Sequence, residues 1–294
     1  WDANENVLLY TTASDIISAA ADSNSYSVTK QTNDFGYPIV KATSDSALIA
    51  LDYVKQYSNI TFKSYDDPAR IVITSKWNEI DSATVSKPTQ VRVKGGIKSP
   101  ILKEVKKDDK ITILDSGDKW DKVATEDGVI GYIKRKALSE SKKTKLTNPD
   151  YEEETFTHIK KDKDICLAWN QVTSQSANSK VPQVISSTKG INVMSPTWFY
   201  LNDNNGNLAD IASKDYVSYC HSQGIEVWGL FSNFENTDVD AAYVLTHTST
   251  RTTLINQIMS AAFNYELDGV NIDFENITEA AYRDSYIELI REHA

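Results

Sequence analysis

The run Leu267-Asp268-Gly269-Val270-Asn271-Ile272-Asp273-Phe274-Glu275-Asn276 is the most informative in the chain. Side chains alternate across a strand. Val270, Ile272 and Phe274 therefore share one face, and Asn271, Asp273 and Glu275 share the other. In a (β/α)8 barrel the apolar face meets the helices. The polar face points into the barrel interior, which bulky apolar residues normally fill. Three polar groups in a row there, two of them carboxylic, are costly to bury without a purpose. Glu275 also sits at the strand's C-terminal end, where barrel active sites lie. The alternative is an exposed edge strand with a polar outer face. The strictly apolar partners and the Asp-Gly start argue against it.

Upstream, three more apolar runs read as strands: Asp164 to Trp169, Ile191 to Pro196, and Ile225 to Phe231. Helical patterns lie between the later ones. Ser213 caps a helix ending before Gly224, with Val217 and Cys220 inward. Leu254, Ile255, Ile258, Met259 and Ala262 form another apolar stripe, and Thr278 to His293 a final helix. Strand–helix alternation predicts parallel strands covered by helices. A (β/α)8 TIM-barrel needs about 250 residues. Residues 164–294 therefore amount to its first half, with open strand edges. Such a half is expected to pair with another copy as a homodimer or to be covered by its own domains, and to be inactive alone.

The remainder predicts a multidomain chain. Residues 1–86 (net charge −5) read as an α+β domain: a strand at Val7–Tyr10, helices at 15–21 and 45–57 (the latter N-capped by Ser44), and a hairpin of 60–63 with 70–74. Residues 87–140 read as five short strands in a small all-β barrel. Residues 141–163 are a polar linker. The 87–150 stretch carries net +6 and 151–294 carries −11, within an overall −10 that argues against a nucleic-acid partner. No run approaches the ~18 apolar residues of a membrane span. Cys166 and Cys220 form no disulfide framework and no metal-ligand spacing, and read as buried thiols. None of His158, His221, His247 and His293 has a partner at ligand or triad spacing. The chain starts at Trp1 with no signal segment, so an upstream stretch is expected to be processed or left out.

Asp268-Gly269-Val270-Asn271-Ile272-Asp273-Phe274-Glu275 resembles the Asp-x-x-Asp-x-Asp-x-Glu signature of glycoside hydrolase family 18. Met194 to Phe199 and Gly224 to Trp228 resemble its chitinase-like branch of cell-wall and spore-cortex N-acetylglucosaminidases. The resemblance implies a retaining hydrolase of β-1,4 bonds after N-acetylglucosamine. Glu275 would be the general acid and Asp273 the holder of the substrate's 2-acetamido group, which is the nucleophile. Asp268 and Asn271 complete the catalytic set. Asn271 stands where the family has Asp and cannot share a proton with Asp273. The family's Ser-x-Gly-Gly is absent, and Gly229 to Phe234 stands in its place.

Trp169, Trp198 and Tyr200 lie near strand ends and read either as sugar-stacking faces or as core packing. Asn233 is a candidate sugar hydrogen-bonder. No cofactor or metal is implied.

Ile111 to Leu114, Gly117 to Val123 and Gly128 to Ile133 resemble a bacterial SH3-type domain. That implies binding of a cell-wall peptide, and the positive charge would suit an anionic polymer. Residues 37–74 resemble the stalk domain at the N-terminus of copper amine oxidases, without implying copper. Together these imply a secreted bacterial enzyme of the cell wall or cell surface, acting on peptidoglycan first and on chitin as the alternative. A non-catalytic glycan-binding protein is the reading outside enzymes.

Overall fold

The computed structural model describes residues 1–43, 46–278 and 280–293. Contacts divide the chain into two units, residues 1–48 with 155–294, and residues 49–154. The expected borders at 86 and 140 are therefore corrected, and residues 1–86 do not form one domain.

The first unit begins with an antiparallel meander of β1 (Val7–Thr11), β2 (Ile16–Ala20), β3 (Ser25–Val28) and β4 (Gln31–Asp34). The helix expected at 15–21 is strand β2. Its Ile17 and Ala19 are buried while Ile16 and Ala20 are exposed, and both edges pair, with β1 and with β3. Two-residue alternation beats a short apolar run's helical reading once neighbours supply both ladders. β5 (Val40–Ala42) pairs with β6 (Ala47–Ile49). The expected cap Ser44 lies outside the described residues.

In the second unit α1 (Leu51–Tyr57) is shorter than expected, because 47–49 is strand. The hairpin of β7 (Thr61–Asp66) and β8 (Ala69–Thr74) forms as predicted. β9 (Glu79–Thr84) joins β10 (Thr89–Arg92), β11 (Ile101–Val105), β12 (Lys110–Asp115), β13 (Trp120–Thr125), β14 (Ile130–Lys134) and β15 (Lys142–Lys145) in a seven-stranded sheet. The order is β11-β10-β14-β13-β12-β9-β15. The five strands expected between 87 and 140 are present. Two flanking ones were missed, since β9 reads as polar and β15 as linker. Val85, Val91, Val105, Ile111, Val123, Ile133 and Ala137 form the core. The β7–β8 hairpin is seated on the turn before β14. Arg70 pairs with Asp127 at 2.8 Å, Lys103 pairs with the same carboxylate at 2.7 Å, and Val72 occupies the space a Cβ on Gly128 would need. Burial pushes the Asp127 carboxyl up, but Lys103 and the Thr125 hydroxyl outweigh it and hold it below the usual range.

Back in the first unit, β16 (Leu167–Asn170), β17 (Val193–Leu201), β19 (Glu226–Ser232) and β20 (Gly269–Asp273) form a parallel sheet in that order. The short β18 (Leu208–Asp210) pairs back on β17. Between and after the strands run α2 (Val181–Ser186), α3 (Lys214–Ser222), α4 (Ala241–Thr246), α5 (Thr248–Tyr265) and α6 (Ala280–His293). Strands laid down in sequence order, each followed by helix, form a singly wound sheet, the arrangement of consecutive barrel units rather than of a doubly wound sheet. The core lies between sheet and helices, where Met194, Phe199, Val227, Phe231, Leu254 and Ile258 are buried. Phe199 stacks on Phe231 with ring centroids 4.4 Å apart. Cys220 is buried as expected, which pushes its thiol up to about 12, whereas Cys166 is exposed.

The meander docks on the helices through its leading residues. Asp2 Oδ2 accepts from the Thr248 amide and hydroxyl, both at 2.8 Å, and the Glu5 carboxylate accepts from the Ser249 amide at 3.0 Å. These carboxylates satisfy free N–H groups at the start of α5 and complement its dipole. One buried ion pair joins α5 to α6, Arg251 with Glu292 at 2.7 Å, and Arg251 also donates to the Leu245 carbonyl. Burial pushes the Glu292 carboxyl up, against the pull of Arg251. Glu292→Ala is expected to strand Arg251 in the interior at a cost of about 3–5 kcal/mol. Urea unfolding measures it, and a loss below about 1 kcal/mol would show that the pair does not hold α6.

Candidate active site

Strand β20 behaves as its alternation demands. Val270 and Ile272, with Phe274 just beyond, pack against the helix-side core. Asn271 and Asp273 fall on the opposite face. Register extends that face across the sheet: Asn271 is opposite Leu230, and Asp273 opposite Ser232, which is opposite Tyr200. Residues paired across parallel strands share a face. Asp273 and Tyr200 are therefore in one row with Ser232 between them.

Ser195 and Trp169 are also register partners. Asn271 Nδ2 donates to Ser195 Oγ at 3.1 Å, so the side chain at the family's middle Asp position is anchored across the sheet. Trp169 is 71% exposed and free to meet a ligand. The inner face thus offers an exposed indole, a half-buried tyrosine and Asp273. Neither Asp273 nor Glu275 has a side-chain hydrogen bond among the described residues. The Tyr286 hydroxyl on α6 is pushed up by burial and, secondarily, by the charge of Asp273.

Three expectations are corrected. Trp198 is 0% exposed, its indole N–H donates to Asn178 Oδ1 at 2.7 Å, and its ring lies 4.9 Å from that of Tyr216. The cause is a register shift between Thr197 and Phe199, which turns Trp198 and Phe199 both toward the helices. Trp198 is core. Asn233 has both ends of its amide engaged by the Glu275 backbone: Oδ1 accepts from the N–H at 2.8 Å, and Nδ2 donates to the C=O at 3.1 Å. Asp268 precedes the strand at its opposite end. Its Oδ2 accepts from the Val227 amide and lies 2.8 Å from His221 Nε2. Asp268 therefore ties β20 and α3 to β19, far along the strand from Glu275. His221 has a carboxylate partner after all, brought from 47 residues away in sequence.

Sequence reasoning missed other parts. Gly269 has no side chain because the Trp228 indole lies over it, where a Cβ would come within 2.8 Å of the ring. Ser232 is buried and donates to the Glu235 carboxylate at 2.6 Å. The serine next to the absent family motif was the available signal. No metal-holding group of three His, Cys, Asp or Glu occurs among the described residues.

No family model matches the chain, and no curated protein matches it. Solved structures similar to it include a chitinase from Chromobacterium violaceum, 17% identical over 43% of this chain and 39% of that chain, with a TM-score of 0.34. The spore cortex-lytic enzyme SleL from Bacillus cereus is 16% identical over 51% of this chain and 36% of that one, with a TM-score of 0.38. A plant class V chitinase mutant from Cycas revoluta, solved in complex with (GlcNAc)3, is 14% identical over 43% and 39%, with a TM-score of 0.35. The chain spans about two fifths of the length of these proteins.

The two ends of β20 separate by experiment. Asp268→Ala removes the acceptor of a backbone amide and is expected to cost about 1–3 kcal/mol of stability. Thermal unfolding measures the loss and titration with a chito-oligosaccharide measures affinity. A variant that kept its stability but lost affinity would put Asp268 in the binding site instead.

Proposed function

We propose that residues 164–294 contribute the acid and the acetamido-holding carboxylate of a glycosidase that cleaves β-1,4 bonds after N-acetylglucosamine. The observation that carries this reading is the pair Asp273 and Glu275, with carboxyls unengaged among the described residues, at the C-terminal end of a strand whose other face is wholly apolar. Asp273 closes the ladder and Glu275 follows two residues later, a stretch of chain that spans at most ~7 Å. Side chains so placed can touch neighbouring parts of one sugar.

The chemistry runs in two steps. Protonated Glu275 gives its proton to the glycosidic oxygen as the bond to C1 breaks. The acetamido carbonyl oxygen forms a bond to C1 from the opposite face, giving a cyclic oxazolinium. Asp273 accepts a hydrogen bond from the acetamido N–H and balances the positive charge. Water then attacks C1, Glu275 takes its proton, and the ring opens with retained configuration. Trp169 and Tyr200 supply aromatic surface for sugar rings.

Peptidoglycan and chitin both fit this chemistry. The charge of β17, β19 and the stretches that follow them favours chitin. Residues 195–213 and 229–250 contain Asp203, Asp210, Glu235, Asp238 and Asp240 but no lysine or arginine. Negative charge there repels a polymer that carries carboxylates. The proposed setting is the cell exterior or wall, with the seven-stranded sheet as an SH3-type wall-binding module. No helix of the described residues is long and apolar enough to cross a membrane.

Glu275→Gln is expected to lower turnover by ~10²–10⁴-fold while leaving binding intact, since Gln is nearly isosteric but donates no acid proton. Turnover near wild type would remove Glu275 from the mechanism. Substrate panels read the other half of the proposal. Chitin oligomers should be cut faster than peptidoglycan strands, cellulose oligomers should not be cut, and a thiazoline mimic should inhibit. A covalent glycosyl–enzyme adduct in the mass spectrum would contradict substrate assistance.

A further inference from the structure

We infer that Asn233 is a positioning residue that sets where Glu275 presents its carboxyl. The inference rests on the reading of Glu275 as the acid. Pairing of β19 with β20 ends at Ser232 and Asp273, two residues before Glu275. Past that point the ladder no longer fixes the backbone, and immediately after Glu275 the chain turns away, with Asn276 at φ +61°. The residue that most needs a fixed position therefore lies beyond the ladder. Asn233 supplies what the ladder stops supplying. Its amide Oδ1 accepts the Glu275 N–H at 2.8 Å and its Nδ2 donates to the Glu275 carbonyl at 3.1 Å. One side chain thus satisfies both the N–H and the C=O that a neighbouring strand would otherwise pair. The two bonds restrain the peptide planes on both sides of the Glu275 Cα, and hence the direction of its Cα–Cβ bond.

Asn233 is itself held. Ser232 is buried, with its hydroxyl on Glu235 and on the Phe199 carbonyl. Farther along the loop, Asn236 Nδ2 donates to the Asn202 carbonyl at 2.7 Å, and the Asp240 amide donates to Asn204 Oδ1 at 2.7 Å. The loop after β19 is pinned to the loop after β17, and Asn233 passes that position on to Glu275. A misplacement of about 1 Å in a reacting group can cost on the order of 10²-fold in rate.

The test uses Asn233→Ala and Asn233→Asp. With Ala, kcat on a chito-oligosaccharide should fall about 10–100-fold while KM stays within about twofold, because Asn233 does not touch the sugar. Hydrogen exchange at the Glu275 amide should lose its protection. With Asp, which keeps the acceptor and lacks the donor, amide protection should persist and kcat should lie between the other two. A raised KM with unchanged kcat would make Asn233 a substrate contact and overturn the inference. So would an equally protected Glu275 amide in the Ala variant, or a lowered melting temperature with kcat unchanged. Should the wild-type protein cut no N-acetylglucosamine polymer, the functional reading fails. The amide-exchange arm still decides whether Asn233 holds Glu275.

Discussion

Everything at the candidate site depends on the register of β19 against β20, which runs from Trp228 with Gly269 to Ser232 with Asp273. A slip of one residue would turn Val270 and Ile272 toward the open side and drive Asn271 and Asp273 into the helices. Two features lock the register from outside the ladder. At one end Asp268 binds the Val227 amide, and at the other Asn233 binds Glu275. A third lies beside the first, where the Trp228 indole fills the space that Gly269 leaves. Because the strand is held at its start and just past its end, Asp273 and Glu275 do not have to make side-chain bonds of their own to stay in place. Their lone pairs remain available to a ligand.

The helix layer is fixed by different physics. The apolar face of the sheet meets α3 and α5 through Val217, Cys220, Leu254 and Ile258, and burial of that surface is the main favourable term. The polar exceptions are paired: Arg251 with Glu292 between α5 and α6, and Asn178 with the Trp198 indole. The start of α5 is completed from the far end of the chain, by Asp2 and Glu5. Burial pushes the Asp2 carboxyl up, but its hydrogen bonds to Thr248, Asn4 and Glu5 outweigh this and hold it low. A depressed carboxyl stabilises above its unfolded value and loses that contribution as the pH falls through the folded one. Acid therefore weakens the meander's hold on α5 before it touches the apolar core.

Much of this was legible in the sequence. The four parallel strands, the α3 stripe, the two faces of β20 and the Leu254 and Ile258 part of the α5 stripe follow from periodicity alone, whereas Met259 of that stripe is exposed. What was not legible depended on partners distant in sequence. Strand β2 looked helical because a short, mostly apolar run carries no clear period, and its ladders with β1 and β3 decided it. Strand β9 was assigned to the wrong domain because Glu79 to Thr84 is nearly all polar, and its bonds to β12 and β15 come from far along the chain. Trp198 reads equally as a sugar-stacking face or as core, and the register shift between Thr197 and Phe199, which turns it to the helices, decides for core. His221 had no partner within its own helix, and found one through the fold.

The signature itself divides when its residues are followed into the structure. Asp268 spends its carboxylate on a backbone amide and a histidine, so its acidity serves the sheet. Asn271 directs its amide to Ser195, a bond that an ionised carboxylate would make only by accepting from the hydroxyl. Since Asn271 donates there, the serine's own proton is left to go elsewhere, and the inner face at this point is uncharged. The site's unengaged carboxyl groups therefore stand toward the strand's C-terminal end, at Asp273 and Glu275, rather than spread along the strand. A further ionised carboxylate at position 271 would repel that of Asp273. Asn at 271 thus removes a like charge from beside Asp273, the group proposed to hold an amide N–H and to balance a developing positive charge.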